Sequence, residues 1–177
     1  MTYRSVLLLV ILVVSLVMPS AALADPGDTN CLYPSPTDRF GVTVFAHEQI
    51  TDFNAGALRA GRYLNWRADL EPAHPGAMNY YYMLRVNDSG YRPSGASLEA
   101  IVRNNPGGVW IIGNEADVIW QDNTTPENYA RAFHDAYTFI KGIDPTARFV
   151  TSGIVQVSTL RLAWLERVWN SYRATYG

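Results

Sequence analysis

Residues 106–117 of this 177-residue chain read PGGVWIIGNEAD, and this stretch decides the predicted fold. Its apolar run, residues 109–112, lies between glycines, which is typical of a short strand buried on both faces. Asn114 and Glu115 follow the run directly. In parallel α/β folds, ligand-binding and catalytic groups lie at the carboxyl ends of the strands, where the loops converge. Glu115 is therefore a candidate acid or base, while its position alone is equally compatible with a solvated loop residue.

Working outward from this strand, the chain alternates strands with helices. Five strands are predicted in all, over residues 40–45, 62–67, 79–86, 109–112 and 148–152. Helices are predicted after the first, third, fourth and fifth strands, and this alternation indicates a parallel sheet. Between the second and third strands, residues 68–78 are too few for the usual crossover, and two prolines there oppose a helix.

Helix signals are clearest after the fourth strand. Thr125 can cap that helix, Pro126 suits its first position and an acid lies in its first turn. Apolar residues recur along it at helical spacing, namely Tyr129, Phe133, Ala136 and Ile140. His134 lies off this stripe, and we expect it to be solvated. Weaker cap signals place the other helix starts at Thr51 or Asp52, at Ser97 and at Thr159.

The first 24 residues have the composition of an export signal. Arg4 supplies the positive charge, residues 6–17 are almost wholly apolar, and small residues precede a predicted cleavage site after Ala24. The apolar run is shorter than the roughly 20 residues that a membrane-spanning helix needs. We therefore expect a secreted or otherwise extracytoplasmic protein without a membrane association after cleavage, in which residues 25–38 form an extended N-terminal arm.

The composition excludes some partners. The chain has 14 basic and 16 acidic side chains, for a net charge of −2, which argues against nucleic acid or an anionic membrane as partner. The single cysteine, Cys31, cannot form an internal disulfide, and we expect it to be an incidental thiol in the arm. Position 51 is Thr, so His47 and Glu48 do not begin a zinc-protease motif. Nothing in the sequence indicates a cofactor or a metal.

The string WIIGNE, residues 110–115, resembles the acid/base segment of the clan A glycoside hydrolases, retaining enzymes on (β/α)8 barrels. In these enzymes an Asn-Glu pair closes the fourth strand. The resemblance implies that Glu115 is the general acid/base and that Asn114 hydrogen-bonds the sugar hydroxyl next to the reacting carbon. Families of this clan usually have Pro after the Glu, where this chain has Ala116, which leaves the following backbone less constrained.

The resemblance also gives a role to Arg67, just past the second strand. In clan A enzymes an Arg near this level of the barrel steadies the catalytic nucleophile. From the residues alone, a salt bridge between Arg67 and Asp69 or Glu71 is about as well supported.

Residues after the other strands complete the predicted substrate site. His47, after the first strand, could line a sugar site or lie at the surface with one hydrogen bond. Trp120, in the loop after Glu115, could stack on a pyranose ring or pack under its own loop. Gln156 follows the fifth strand and could reach the cleft. Three more polar residues are candidates for hydroxyl contacts, namely Asp117, Gln121 and Asp122.

The predicted fold is a partial TIM (β/α)8 barrel of about five parallel strands with flanking helices, in which residues 39–177 form the N-terminal portion. A complete barrel needs roughly 250 residues. A retaining glycosidase needs two carboxyl groups about 5–5.5 Å apart, and in the resembling enzymes the second follows the seventh strand. We expect that nucleophile on a missing C-terminal half of the barrel, so that residues 1–177 alone would be inactive.

Three interpretations remain open from the sequence. The first is a secreted enzyme that hydrolyses a poly- or oligosaccharide. The second is a carbohydrate-binding barrel without catalysis or an inactive fragment. The third is an exported α/β domain of unrelated function that shares only the barrel-like pattern.

Overall fold

The computed structural model describes residues 36–45 and 47–177. The predicted export signal, its cleavage site and Cys31 lie outside the described residues. The strands are β1 (Gly41–Thr43), β2 (Arg62–Leu64), β3 (Asn79–Asn87), β4 (Gly90–Arg92), β5 (Val109–Ile112) and β6 (Arg148–Thr151). The α-helices are α1 (Ala55–Leu58), α2 (Gly95–Asn104), α3 (Pro126–Ile143) and α4 (Thr159–Tyr176). Short 3-10 helices span Pro36–Arg39, Ile50–Asp52 and Pro75–Ala77.

Five of the strands form one open parallel sheet in the order β1-β2-β3-β5-β6. The remaining strand, β4, pairs antiparallel with the end of β3 and forms a hairpin. The predicted partial barrel of five parallel strands with flanking helices is therefore confirmed. Its C-terminal rim, meaning the edge formed by the carboxyl ends of the parallel strands, is where the predicted site residues lie. Within the described part of the chain, no helix is both long and apolar enough to cross a membrane.

The two faces of the sheet differ because side chains alternate along each strand. On the outer face, which α2 and α3 cover, the strand residues are almost fully buried, namely Tyr63, Tyr80, Tyr82, Leu84, Val86, Trp110 and Ile112. On the inner face, Met83 and Val109 are also buried, but Leu64, Tyr81 and Ile111 are only half-buried, and Val150 is 43% exposed. The hydrophobic core therefore lies between the sheet and its helices.

The prediction for α3 is confirmed in detail. Thr125 caps it, since its hydroxyl accepts a hydrogen bond from the Asn128 N–H at 3.2 Å. Its apolar stripe packs on the sheet, with Tyr129 and Ile140 fully buried. The expectation that His134 is solvated is wrong. Its ring stacks on Tyr176 of α4 with a centroid distance of 3.6 Å, because α4 packs alongside α3.

Several predicted boundaries are wrong for local reasons. Helix α1 is capped by Asn54, whose side chain accepts from the Ala57 N–H, and not by Thr51 or Asp52. Helix α2 begins at Gly95, ahead of the predicted Ser97 cap, and follows the hairpin that the sequence did not reveal.

Two predicted segments near the second strand also differ. The end of the predicted extended arm, residues 36–38, belongs to a 3-10 helix, Pro36–Arg39, and the Thr37 carbonyl accepts from the Gly61 N–H. The second strand ends at Leu64 and does not reach Arg67, because Trp66 has a φ of 65°, which a β-strand cannot contain. The connection from β2 to β3 has no α-helix, as predicted.

Candidate active site

Glu115 lies at the C-terminal rim, directly beyond the fourth parallel strand in chain order, β5. Its φ of 44° is in the left-handed region, which costs a residue with a side chain about 1–2 kcal/mol. The residue is half-buried, and its carboxylate has no hydrogen bond or ion pair with any residue in 36–45 or 47–177. A carboxyl group placed in this way remains free to meet a ligand.

Gly113 allows the chain to turn from β5 into this conformation. Its φ is 90°, and a Cβ there would lie 3.1 Å from both Tyr129 and Val86 and 3.2 Å from Ser152. Both the backbone angle and the close packing therefore require glycine. The absence of a side chain lets the segment before Glu115 approach the ends of β3 and β6 closely.

The buried carboxylate of Asp122 fixes the chain on one side of Glu115. Its side chain is 1% exposed and pairs with Arg85 of β3, with 2.5 Å between Arg85 Nε and Oδ1. Its Oδ2 accepts from two backbone N–H groups, those of Val86 at 3.0 Å and Asn114 at 2.7 Å. Asp122 therefore joins the carboxyl ends of β3 and β5, and we call this group the Asp122 clamp.

A second set of hydrogen bonds fixes the chain on the other side of Glu115. The Ala116 N–H donates to Ser152 Oγ at 3.1 Å. The Ser152 N–H in turn donates to the Tyr129 hydroxyl at 2.6 Å, and that hydroxyl donates to the Ile112 carbonyl at 2.7 Å. Burial raises the pKa of Tyr129, so its hydroxyl stays protonated at neutral pH.

These contacts explain the alanine that replaces the usual proline of clan A sequences. Ala116 is fully buried, and its N–H makes the hydrogen bond to Ser152. Proline has no N–H and could not make this bond. The residues before and after Glu115 are thus both held through their backbone N–H groups, which fixes the backbone from which the carboxylate projects.

Asn114, the predicted partner of a sugar hydroxyl, is oriented by a neighbour in its own loop. Its Nδ2 donates to Gln121 Oε1 at 2.9 Å, and Gln121 also lies 3.5 Å from Arg85 Nη2. The amide oxygen of Asn114 has no partner within the described residues and can accept a hydrogen bond from a ligand.

Arg67 lies just past β2 and pairs with Asp69, with 3.4 Å between Arg67 Nε and Asp69 Oδ1. The salt bridge that the sequence offered as the alternative is thus present. The side chains of Arg67 and Asp69 are 42% and 33% exposed, so this ion pair contributes little to stability. The Arg67 side chain is thus still partly open to solvent at the rim.

The other predicted contacts are spread along the rim. His47 is exposed and stacks on Phe45, with 6.0 Å between the ring centroids. Trp120 is 86% exposed, so it does not pack under its own loop. Gln156 is exposed in the loop between β6 and α4. The structure brings Asn114 together with Gln121 and Arg67 with Asp69, but it gives no direct contact between Glu115 and Arg67 or His47 within the described ranges.

Two of the predicted polar contacts cannot serve a ligand. Asp122 is buried in the clamp, and the side chain of Asp117 is 2% exposed and paired with Arg161 of α4. Asp117 and Asp122 are the acids nearest to Glu115 in the sequence, and both already form ion pairs. Among the described residues around Glu115, no second free carboxylate therefore presents itself as a nucleophile.

One feature of the sequence points to the Asp122 clamp. Arg85 lies in a strand that is otherwise apolar and aromatic, and a guanidinium there needs an anionic partner because its desolvation is costly. The choice of Asp122 among the available acids depends on how the loop after β5 folds back over β3.

A second rim structure follows β2. Tyr80 of β3 is buried, and its hydroxyl lies 2.5 Å from Asn65 Oδ1 and 2.8 Å from the Arg67 carbonyl. Asn65 is 4% exposed, and its Nδ2 donates to Asp69 Oδ2 at 2.6 Å. Burial, with a smaller effect of Asp69, raises the pKa of Tyr63 to about 12 and also raises that of Tyr80. Both hydroxyls therefore remain donors at neutral pH.

Comparison with known proteins supports the fold. No protein-family model matches the chain, and no curated protein matches it. Among solved structures, the chain is similar to a GH128 (subgroup II) endo-beta-1,3-glucanase from Pseudomonas viridiflava, with 17% identity and a TM-score of 0.57 over 77% of this chain and 54% of that chain. It is also similar to a GH128 (subgroup I) endo-beta-1,3-glucanase from Amycolatopsis mediterranei in complex with laminaritriose, with 19% identity and a TM-score of 0.58 over 76% and 51%.

These similarities confirm the resemblance to clan A glycoside hydrolase barrels at the level of the fold. The chain spans about half the length of the solved structures that it matches. Its sheet of five parallel strands corresponds to part of their barrels.

Proposed function

We propose that this chain is the acid/base-bearing part of a secreted, retaining glycoside hydrolase that cleaves O-glycosidic bonds in a poly- or oligosaccharide. The observation that carries the proposal is the free carboxylate of Glu115 beyond the fourth parallel strand, with the backbone fixed on both sides of it. The barrel fold of the solved glucanases supports the same assignment, as does the predicted export signal.

The geometry suits general acid/base chemistry. The Glu115 carboxyl group would donate its proton to the glycosidic oxygen as the bond from that oxygen to the anomeric carbon breaks, so that the leaving group departs as an alcohol. A second carboxylate would then bond to the anomeric carbon. In the next step Glu115, now ionised, would take a proton from the water that displaces this carboxylate. The amide oxygen of Asn114 would accept a hydrogen bond from the neighbouring sugar hydroxyl.

The second carboxylate would come from further strands that complete the barrel. The sheet is open, since among the described strands β1 and β6 each have one neighbour. Its inner face also leaves apolar side chains uncovered, including Val150 at 43% exposure. Additional strands along these edges would cover that face and bring a carboxylate towards Glu115, which is the role that we propose for a C-terminal half.

We propose β-1,3-linked glucose oligomers as the first substrates to test. The solved structures with this fold are named as endo-beta-1,3-glucanases, and one of them holds laminaritriose. The fold alone does not select a sugar, but these ligands give the assay a defined starting point.

The test is hydrolysis of laminarin by the chain expressed together with any residues that follow Gly177 in its gene. We expect Glu115→Gln to lower the rate of sugar release by about 10²–10⁴-fold, because the general acid is lost while the shape of the side chain is kept. Glu99→Gln is the matched control, since Glu99 is a surface residue of α2 paired with Arg103, and it should retain the wild-type rate. Equal nonzero rates for Glu115→Gln and wild type would refute the proposal.

The second candidate is a carbohydrate-binding barrel without catalysis. It is favoured by one observation, that the acids nearest Glu115 in the sequence are buried in ion pairs. Laminaritriose binding without any product from laminarin, in the chain with its complete downstream sequence, would support this candidate instead.

A further inference from the structure

We propose that Trp66, at the C-terminal rim beyond β2, is a fixed stacking platform for one sugar ring of the bound oligosaccharide. This inference rests on the proposed function and assigns a specificity-determining residue to the same site. Neither the strand pattern nor the resemblance to clan A enzymes singles out this residue.

The pairing of β2 with β3 shows that Trp66 lies in a bulge. If the register of these strands continued, the Met83 N–H would donate to the Asn65 carbonyl. It donates instead to the Arg67 carbonyl at 2.8 Å, two residues further along. The chain after β2 therefore contains two additional residues at this point, and the bulge changes the direction in which the Trp66 side chain projects.

Both neighbours of Trp66 lie against the same buried hydroxyl, that of Tyr80, whose one proton is shared between two acceptors. The Tyr80 hydroxyl lies within hydrogen-bond distance of Asn65 Oδ1 and of the Arg67 carbonyl, at 2.5 and 2.8 Å. Asn65 is further held by its hydrogen bond to Asp69 at 2.6 Å. The backbone of Trp66 is thus anchored on each side, as that of Glu115 is.

Trp66 and Glu115 share an uncommon backbone conformation, with φ values of 65° and 44°. Three other described residues with side chains have positive φ for ordinary reasons: Arg59 ends α1, Ala77 closes a 3-10 turn, and asparagine tolerates this region at Asn123. A bulky residue in this region persists only when its surroundings impose the conformation, and such residues cluster at ligand sites. The two unexplained cases lie on the same rim.

The exposure of the Trp66 indole suits a platform. The residue is 36% exposed, so part of its surface is open to a ligand. No aromatic ring within the described residues stacks on it. The apolar C–H face of a pyranose can therefore pack on the open part of the indole. Because the backbone that carries the ring is held before binding, little backbone entropy is lost when the sugar binds.

Trp120 is much more exposed than Trp66. Its ring is 86% exposed and has little support, so a ligand would have to order it. We therefore assign the larger share of stacking to Trp66.

The strand order gives the approximate position of the platform relative to Glu115. β3 lies between β2 and β5, so the two rim positions are separated by two strand spacings, or about 10 Å. A sugar that stacks on Trp66 would thus be a unit neighbouring the one whose linkage Glu115 protonates. Trp66 is accordingly a binding residue and not a catalytic one.

The experiment is a calorimetric titration of the chain with laminaritriose. Trp66→Ala should raise the Kd about tenfold, and Trp66→Phe, which keeps an aromatic face, should raise it about threefold or less. Trp169→Ala is the matched control, because Trp169 is a 61% exposed tryptophan on α4. This variant should bind laminaritriose with the wild-type Kd.

Trp66→Gly separates binding from folding. Glycine adopts a φ of 65° without steric cost, so the melting temperature should stay the same or rise while the Kd rises as it does for Trp66→Ala. A wild-type Kd in both Trp66→Ala and Trp66→Gly would overturn the inference. The lack of laminaritriose binding by the wild type at millimolar concentration would also overturn it.

The hydrolysis assay distinguishes this failure from a failure of the proposed function. If Glu115→Gln abolishes laminarin hydrolysis and Trp66→Ala leaves the Kd unchanged, the function stands and the platform is refuted. If laminaritriose binds through Trp66 and no hydrolysis occurs, the platform stands and the enzymatic proposal fails.

Discussion

On the outer face of the sheet, Trp110 and Ile112 of β5 are fully buried in the core that α2 and α3 cover, whereas on the inner face Ile111 of β5 is half-buried and Val150 of β6 is 43% exposed. Apolar packing holds the outer face together. The inner face relies at its C-terminal rim on polar contacts, above all the Asp122 clamp. The comparison teaches that the chain can hold the backbone of its rim in place although the inner face of its sheet is only partly covered.

The largest expected effect is on the rim. Asp122→Ala would leave Arg85 without its partner and would free the N–H groups of Val86 and Asn114 in a buried position. We expect the free energy of unfolding to fall by about 3–5 kcal/mol, because breaking a buried ion pair leaves an uncompensated charge. Urea unfolding followed by circular dichroism measures the loss.

Asp135→Ala provides the control for this variant, since Asp135 is an exposed aspartate on α3. It should change stability by less than about 0.5 kcal/mol. If the two aspartate variants unfolded at the same urea concentration, the rim would not depend on the clamp.

Two adjacent isoleucines of β5 test the difference between the faces directly. Ile112→Ala on the outer face should cost about 2–5 kcal/mol, because it creates a cavity in a fully packed region. Ile111→Ala on the inner face should cost less, about 1 kcal/mol, because the side chain already contacts solvent there. The residue type, the strand and the substitution are the same, so urea midpoints compare the two faces alone. Equal losses would mean that the inner face is as well packed as the outer one.

A third comparison concerns the hydrogen bonds between the outer face and the rim. Tyr129→Phe removes a hydroxyl that serves the Ile112 carbonyl and the Ser152 N–H, both of them buried. We expect a loss of about 1–3 kcal/mol, since two buried polar groups lose their partner. Tyr137→Phe, on the exposed side of α3, should be near neutral.

The stability difference between wild type and Tyr129→Phe should depend on pH, because burial raises the pKa of Tyr129 above its usual value near 10. The stabilisation by the hydroxyl is fully present below about pH 10, where the tyrosine is protonated in both states, and it is lost as the pH rises through the folded-state pKa. The stability gap between wild type and Tyr129→Phe should therefore narrow above pH 10. A gap that is constant or widens between pH 9 and pH 11 would contradict the assignment.

Some parts of the site follow from local sequence, and others do not. Residues 109–112 could be recognised as a strand, and Glu115 placed at its end, because an apolar run between glycines needs no distant information. Helix α3 was predictable for the same reason, since its cap and its apolar stripe are local features. Trp66 was misjudged as part of a strand, because its local sequence favours extended structure and only the hydrogen bonds of Tyr80 and Met83 impose the left-handed turn.

By itself the sequence determined the parallel alternation of strands and helices, the position of Glu115 at the C-terminal rim and the open character of a five-stranded sheet. The tertiary structure decided which groups fix that rim. The contact of Asp122 with Val86 and that of Ser152 with Ala116 each join residues 36 positions apart. Periodicity and capping signals extend over a few residues, whereas these contacts form only when separate loops meet at the ends of neighbouring strands. The backbone position from which the candidate catalytic carboxylate projects is therefore a property of the folded sheet and not of any segment within it.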